Sequence, residues 1–166
     1  MEGNFSWTRV LPTTVVVGLA TLGPIGRLKA PGTWGSLAGI GWYTIVFYNL
    51  DPVISIVLIG ITSFLAVGIC GEAEIRLQKR DPGEIVLDEM VAVPICFIGI
   101  PVMQFQQPWT IIILGFALFR FFDIVKPLGI KRLQNLPEGT GVVMDDLAAA
   151  LAACICLHIA LTFMAQ

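Results

Sequence analysis

None of the ten lysines and arginines in this chain falls inside its long apolar runs. The runs are Leu37–Leu50, Val53–Cys70, Met90–Phe105, Trp109–Phe119 and Leu147–Ala165. Arg9, Arg27 and Lys29 precede the first run, and Arg76, Lys79 and Arg80 separate the second from the third. Arg120, Lys126, Lys131 and Arg132 separate the fourth from the fifth. The turns Asn49–Pro52 and Gln104–Pro108 carry no basic residue. If every run crosses a membrane, all ten cations lie on one side, and the positive-inside rule makes that side cytoplasmic. Composition agrees: 56% of residues are hydrophobic and only 13% are charged, against about 25% charged in soluble domains.

A crossing helix needs roughly 20 apolar residues, so several runs are marginal unless they extend into flanking residues or the bilayer thins. Four or five crossings fit the runs, and the short linkers favour five. The expected fold is an all-α, polytopic membrane helical bundle of about five short spans, with residues 1–166 forming a single membrane-embedded domain. Thr13–Ile25 is apolar but short and glycine-containing, which predicts a re-entrant or interfacial N-terminal helix. The first 30 residues do not read as a cleaved signal. Cys70, Cys96, Cys154 and Cys156 form no C-x-x-C pair and read as small embedded hydrophobes. The net charge of −2 gives no basic field for nucleic acid.

The acids are less expected. Of twelve, only Asp51 lies on the side opposite the cations. Asp88 and Glu89 open the third run, Asp123 follows the fourth, and Asp145 and Asp146 precede the fifth. Ionisable groups at membrane depth are costly and tend to face a bundle interior or polar cavity. Glu84 and Asp88 would share a helix face. Capping or pairing with nearby cations explains any one of these acids. Acidic doublets at two separate span ends point instead to a divalent cation such as Mg²⁺, Ca²⁺ or Mn²⁺ held by carboxylate oxygens.

Lys29–Ser36 reads either as an interfacial turn anchored by Trp34 or as a phosphate cradle, with Ser36 capping a helix and Lys29 beside it. Arg120 reads either as a snorkelling arginine or, with Lys126, as an anion site. Glu72 and Arg76 read as a surface pair. Carboxylates, cations and a glycine loop on one membrane face suit a phosphate at membrane depth, and hence a phospholipid head group. A small cation-binding or transport protein is the alternative, although transport sites lie near the midplane.

Four segments together carry a resemblance: Ala30–Ser36 (APGTWGS), Asp81–Glu89 (DPGEIVLDE), Phe119–Pro127 (FRFFDIVKP) and Gly139–Asp146 (GTGVVMDD). In that order they resemble the phosphatidylglycerophosphatase A family. The resemblance implies a Mg²⁺-dependent phosphatase of the bacterial inner membrane, with its active site on the cytoplasmic face. It would convert the lipid phosphatidylglycerophosphate to phosphatidylglycerol. Against it we expect Mg²⁺ ligands at Glu84, Asp88, Asp123, Asp145 and Asp146, and catalytic roles for Asp88, Glu89, Asp123 and Asp146. Phosphate contacts are expected from Lys29, Thr33, Ser36, Arg120 and Lys126. The chain departs from the family pattern at Ala92, at Val142–Met144 and at Pro127–Ile130, which are packing and turn positions. The lone histidine, His158, sits deep in the last run on the far side, which excludes a histidine-based lipid phosphatase. The sequence carries no sign of an oligomeric state.

Overall fold

The computed structural model describes residues 5–127, 129–136 and 139–164, and all regular structure among them is helical. Leu128 and Ala165, named above in a motif departure and a run end, lie outside the described residues.

Among the described residues three helices are long and apolar enough to cross a membrane: α4 (Pro52–Leu77), α6 (Pro108–Val125) and α7 (Thr140–Met164). We number from α1 (Ser6–Arg9), α2 (Thr13–Ala20) and α3 (Pro31–Trp42), with α5 (Leu87–Ala92) between α4 and α6. Local chemistry sets the ends of α4. Asp51 accepts hydrogen bonds from the amides of Val53 (2.8 Å) and Ile54 (3.4 Å), and Pro52 fills the first helical position. At the other end Gln78 turns left-handed (φ 53°) and Lys79 N–H bonds back to Glu74 O. The fourth run was too short to span, but its helix continues through Arg120 and Asp123 to Val125.

These helices expose large apolar side chains in stripes. On α7, Leu151, Ile155, Ile159 and Phe163 are all more than half exposed and stand four residues apart, on one face. On α4, Val53, Val57, Ile61 and Phe64, three or four residues apart, are likewise more than half exposed. A lipid environment suits such surfaces.

The remaining runs do not form long helices. The first starts at Pro31 rather than Leu37 and ends in a π-helical turn at Tyr43–Phe47. The third is broken. Its helix α5 gives way to a 3-10 turn at Val93–Phe97, where Pro94 removes a donor, and Gly99 adopts φ 74°. Both lie beside the long helices. The Tyr43 and Phe97 rings are 4.4 Å apart, and His158 Nε2 lies 3.0 Å from Ile98 O. A main core joins these elements through Tyr43, Phe97, Ile111, Phe119 and Leu157.

The N-terminal segment is two short helices, neither able to span, packed on the C-terminal half of α4. Trp7 lies against Gly68, where a Cβ would sit 2.7 Å from the indole. Glu72 and Arg76 do pair (2.8 Å), but not on the surface: their side chains are 9% and 13% exposed. Arg76 also donates to the carbonyls of Leu11 (2.7 Å) and Thr8 (3.2 Å), and so ties the N-terminal segment to α4.

Candidate active site

Three helix ends meet at one end of the bundle. The N-terminus of α5 carries Asp88 and Glu89 in its first turn, where the helix dipole favours negative charge. Asp145 and Asp146 lie in the second turn of α7. Being adjacent, they point roughly 100° apart around the helix, one towards α6 and the other towards α5. The end of α6 presents Arg120, Asp123 and Lys126 at three-residue intervals, which keeps them on one face.

Asp88, Glu89 and Asp146 offer carboxylate oxygens that all lie within 4.8 Å of one another. Asp88 and Asp146 are buried, and Asp88 Oδ1 accepts the Glu89 amide at 3.0 Å. Glu89 Oε2 and Asp145 Oδ1 are buried without a hydrogen-bond partner among the described residues. Anions this close and this buried repel strongly unless a cation joins them. A hard divalent ion bound by oxygen fits that donor set and its unsatisfied atoms.

A second layer pairs cations with the other two acids. Arg120 Nη1 donates to Asp123 Oδ2 at 2.6 Å and to Ser36 Oγ at 3.3 Å. Lys126 Nζ bonds Asp145 and lies 3.8 Å from Asp123 Oδ1. Burial disfavours the charged form of Lys126. The bond to Asp145 and the charges of Asp145, Asp146 and Asp123 outweigh it, and the lysine pKa stands above its ordinary value. Lys126 therefore stays cationic at neutral pH.

These groups line a cavity of about 310 Å³, closed on one side by Ala30, Pro31 and Gly32 at the start of α3. A Cβ on Gly32 would lie 2.5 Å from Glu89 Oε1 and 3.2 Å from Arg120 Nη1. Only glycine lets both groups come so close to the backbone. Gly35 and Gly39 continue the stripe, with Val86 and Val93 filling the space their side chains would take. The glycines thus form the face on which α3 packs against α5. Ser36 does not cap the helix, which begins five residues earlier. Its buried hydroxyl donates to Gly32 O (2.7 Å) and accepts from Arg120.

Of the expected site residues, Asp88, Glu89, Arg120, Lys126, Asp145 and Asp146 line this cavity, with Asp123 and Ser36 bonded behind Arg120. Three do not join them. Lys29 is exposed, and Thr33 N–H bonds Ala30 O within the first turn of α3. Glu84 is half exposed and faces Lys79 at 3.9 Å. Asp81, the first residue of the second motif and one given no expected role, does line the cavity. It is left-handed (φ 47°), and its amide donates to Glu74 Oε1 at 2.6 Å. Glu74 Oε2 accepts the Gly139 amide at 3.0 Å, so one carboxylate fastens both loops that lead into the site. The only sign in the sequence was an acid one turn before the end of α4.

Residues 18–161, which contain every one of these groups, match the family model of phosphatidylglycerophosphatase A. The chain belongs to that family. It is therefore an enzyme, a phosphatase of the phosphatidylglycerophosphatase A family. A phosphatidylglycerophosphatase A of Haemophilus influenzae is 39% identical over 127 residues, 76% of each chain. That of Escherichia coli is 32% identical over 123 residues, covering 73% of this chain and 68% of the relative. A Bacteroides thetaiotaomicron protein named "Putative phosphatidylinositol-3-phosphatase" is 36% identical over 137 residues, covering 79% and 83%. No solved structure matches the chain.

Proposed function

We propose that this chain hydrolyses the terminal phosphate monoester of phosphatidylglycerophosphate, giving phosphatidylglycerol and inorganic phosphate, and that it needs Mg²⁺ to do so. The observation that carries this reading is the convergence of Asp88, Glu89 and Asp146 within 4.8 Å beside Arg120 and Lys126.

In this reading Asp88, Glu89 and Asp146 hold the ion. Held there, Mg²⁺ would supply positive charge to the phosphoryl oxygens and acidify the attacking water. Arg120 and Lys126 hold the phosphate oxygens, the guanidinium as a fork and the ammonium as a point charge. Asp123 and Ser36 aim Arg120, and Asp145 aims Lys126. Water attacks phosphorus as the bond to the glycerol oxygen breaks. Glu89 takes the proton of the water and returns it to the leaving alkoxide. Its Oε1 and Arg120 Nη1 both border Gly32, and this nearness supports the pairing of base and phosphate-binding cation. Lys29, Thr33 and Glu84 receive no role.

We further assign five crossings of the bacterial inner membrane, with the site on the cytoplasmic face. Asn49, Leu50 and Pro52 share one cavity wall with Pro101, Met103 and Gln104, at the end of the bundle away from the acids. This pairing supports a full traverse by each broken segment. Pro31–Phe47 would extend about 25 Å if helical throughout, enough for a thinned bilayer.

The deciding experiment is phosphate release by purified protein in detergent. Phosphatidylglycerophosphate and phosphatidylinositol 3-phosphate are supplied separately, each with Mg²⁺ and then with EDTA. We expect Mg²⁺-dependent release from phosphatidylglycerophosphate. Release only from the inositol lipid would transfer the reading to the chemistry in the Bacteroides relative's name. No release from either would favour a cation-binding role.

A further inference from the structure

A second cavity of about 590 Å³ adjoins the catalytic one, and the two share Asp81 and Val142 as walls. The second cavity is formed by the end of α4, the turn that follows it, the 3-10 turn at Ile130–Asn135 and the start of α7. Ile75, Leu136 and Val142 give it apolar surface, and Lys79 and Arg80 give it charge.

Among the described residues its acids already accept hydrogen bonds. Glu74 spends one oxygen on the Asp81 amide and the other on the Gly139 amide. Asp81 Oδ2 accepts Gln134 Nε2 at 3.1 Å. The cations are not similarly engaged. Arg80 gives one donor to Gln134 O (2.9 Å) and pairs with no carboxylate among the described residues. Lys79 reaches Glu84 at 3.9 Å through side chains that are 59% and 50% exposed, a pair worth little. An anion entering here meets Lys79 and Arg80 with donors still open, beside two carboxylates whose bonded oxygens already hold neutral N–H donors.

We propose that this cavity receives the phosphodiester of a lipid whose head group carries two phosphates, with Lys79 and Arg80 as its specificity-determining contacts. The inference rests on reading the neighbouring cavity as the monoester site. A monoester held at Arg120 and Lys126 leaves the bridging polyol and the diester to pass Asp81, the wall common to both cavities. Glycerophosphate and phosphoinositide head groups share this diester-and-monoester chemistry. A lipid with a single phosphate lacks the second anchor.

The test is steady-state hydrolysis of phosphatidylglycerophosphate by Lys79→Gln, Lys79→Arg and the double variant Lys79→Gln/Arg80→Gln, with inhibition by inorganic phosphate measured alongside. Inorganic phosphate reports the monoester site alone. Loss of one charge-assisted contact predicts a KM roughly tenfold higher in Lys79→Gln. The kcat and the phosphate inhibition constant should stay within about twofold, and Lys79→Arg should restore KM. Lys79 is half exposed, so its replacement keeps the test valid if the Arg80 change disturbs Gln134. An unmoved KM in Lys79→Gln, or a KM and phosphate inhibition constant that rise together, overturns the proposal. A wild-type protein that releases no phosphate from either lipid rejects the phosphatase reading itself, before any variant is made.

Discussion

Asp146 and Asp123 illustrate how little a residue's type says about its part in the site. Both are aspartates near a helix end and their side chains adjoin each other, yet Asp146 converges with Asp88 and Glu89 and Asp123 pairs with Arg120. Asp146→Asn keeps the shape and removes one charge from the cluster. We expect a fall in kcat of about 10²–10³-fold and weaker Mg²⁺ saturation, read from rate against Mg²⁺ concentration. A variant that keeps wild-type rate and Mg²⁺ response would remove Asp146 from the ion site. Ser36→Ala removes only the hydroxyl behind Arg120. It should raise KM and leave the Mg²⁺ response alone, because Ser36 bonds Arg120, the proposed phosphate-binding cation, and none of the three clustered acids.

At the scale of elements, the site depends on α3 lying close to α5. A Cβ on Gly35 would come within 2.7 Å of Val86 Cβ and 2.9 Å of Val86 O. A backbone carbonyl cannot swing away, so Gly35→Ala should push the helices apart. Overpacking of this kind costs about 1–3 kcal/mol, visible as a lower melting temperature in detergent, and activity should fall with it. An unchanged melting temperature would mean that α3 can slide without penalty. Gly41 is the contrast, with nothing within 4 Å of its Cβ position, so Gly41→Ala should be silent in both measurements. The glycines were conspicuous in the sequence, but their purpose was not. The same letters serve a phosphate cradle or a packing face, and only the position of Val86 and Val93 decides between them. Glu74 was similarly hidden, because its two backbone partners lie in loops that meet only when α7 docks on α4.

For the whole molecule, the proposed topology places Asn49 on the outer side and Lys79 on the inner side. A single cysteine introduced at Asn49, with the native cysteines replaced, should react with an impermeant maleimide applied to intact cells. One at Lys79 should react only after the membrane is opened. Equal labelling of Asn49 and Lys79 in intact cells would sink the five-crossing arrangement. All-helical structure, the membrane environment and the family were legible in the chain, since the separation of charge from apolar runs is itself the physics of a bilayer. That the two acidic doublets approach one another was legible only as an expectation, because ionisable groups at span ends demand a reason. The lengths of the spans were not. Pro94 and Gly99 break the third run, while α6 recruits Arg120 and Asp123 into a helix that hydropathy ended at Phe119. Nor was the division among the charged residues, in which Lys29 and Glu84 stand apart and Asp81 comes in. By itself the sequence determined what each residue can do, a carboxylate bind a cation, a guanidinium a phosphate. The tertiary structure decided which of them stand together, because the distance between side chains on different helices is set by packing far from either one.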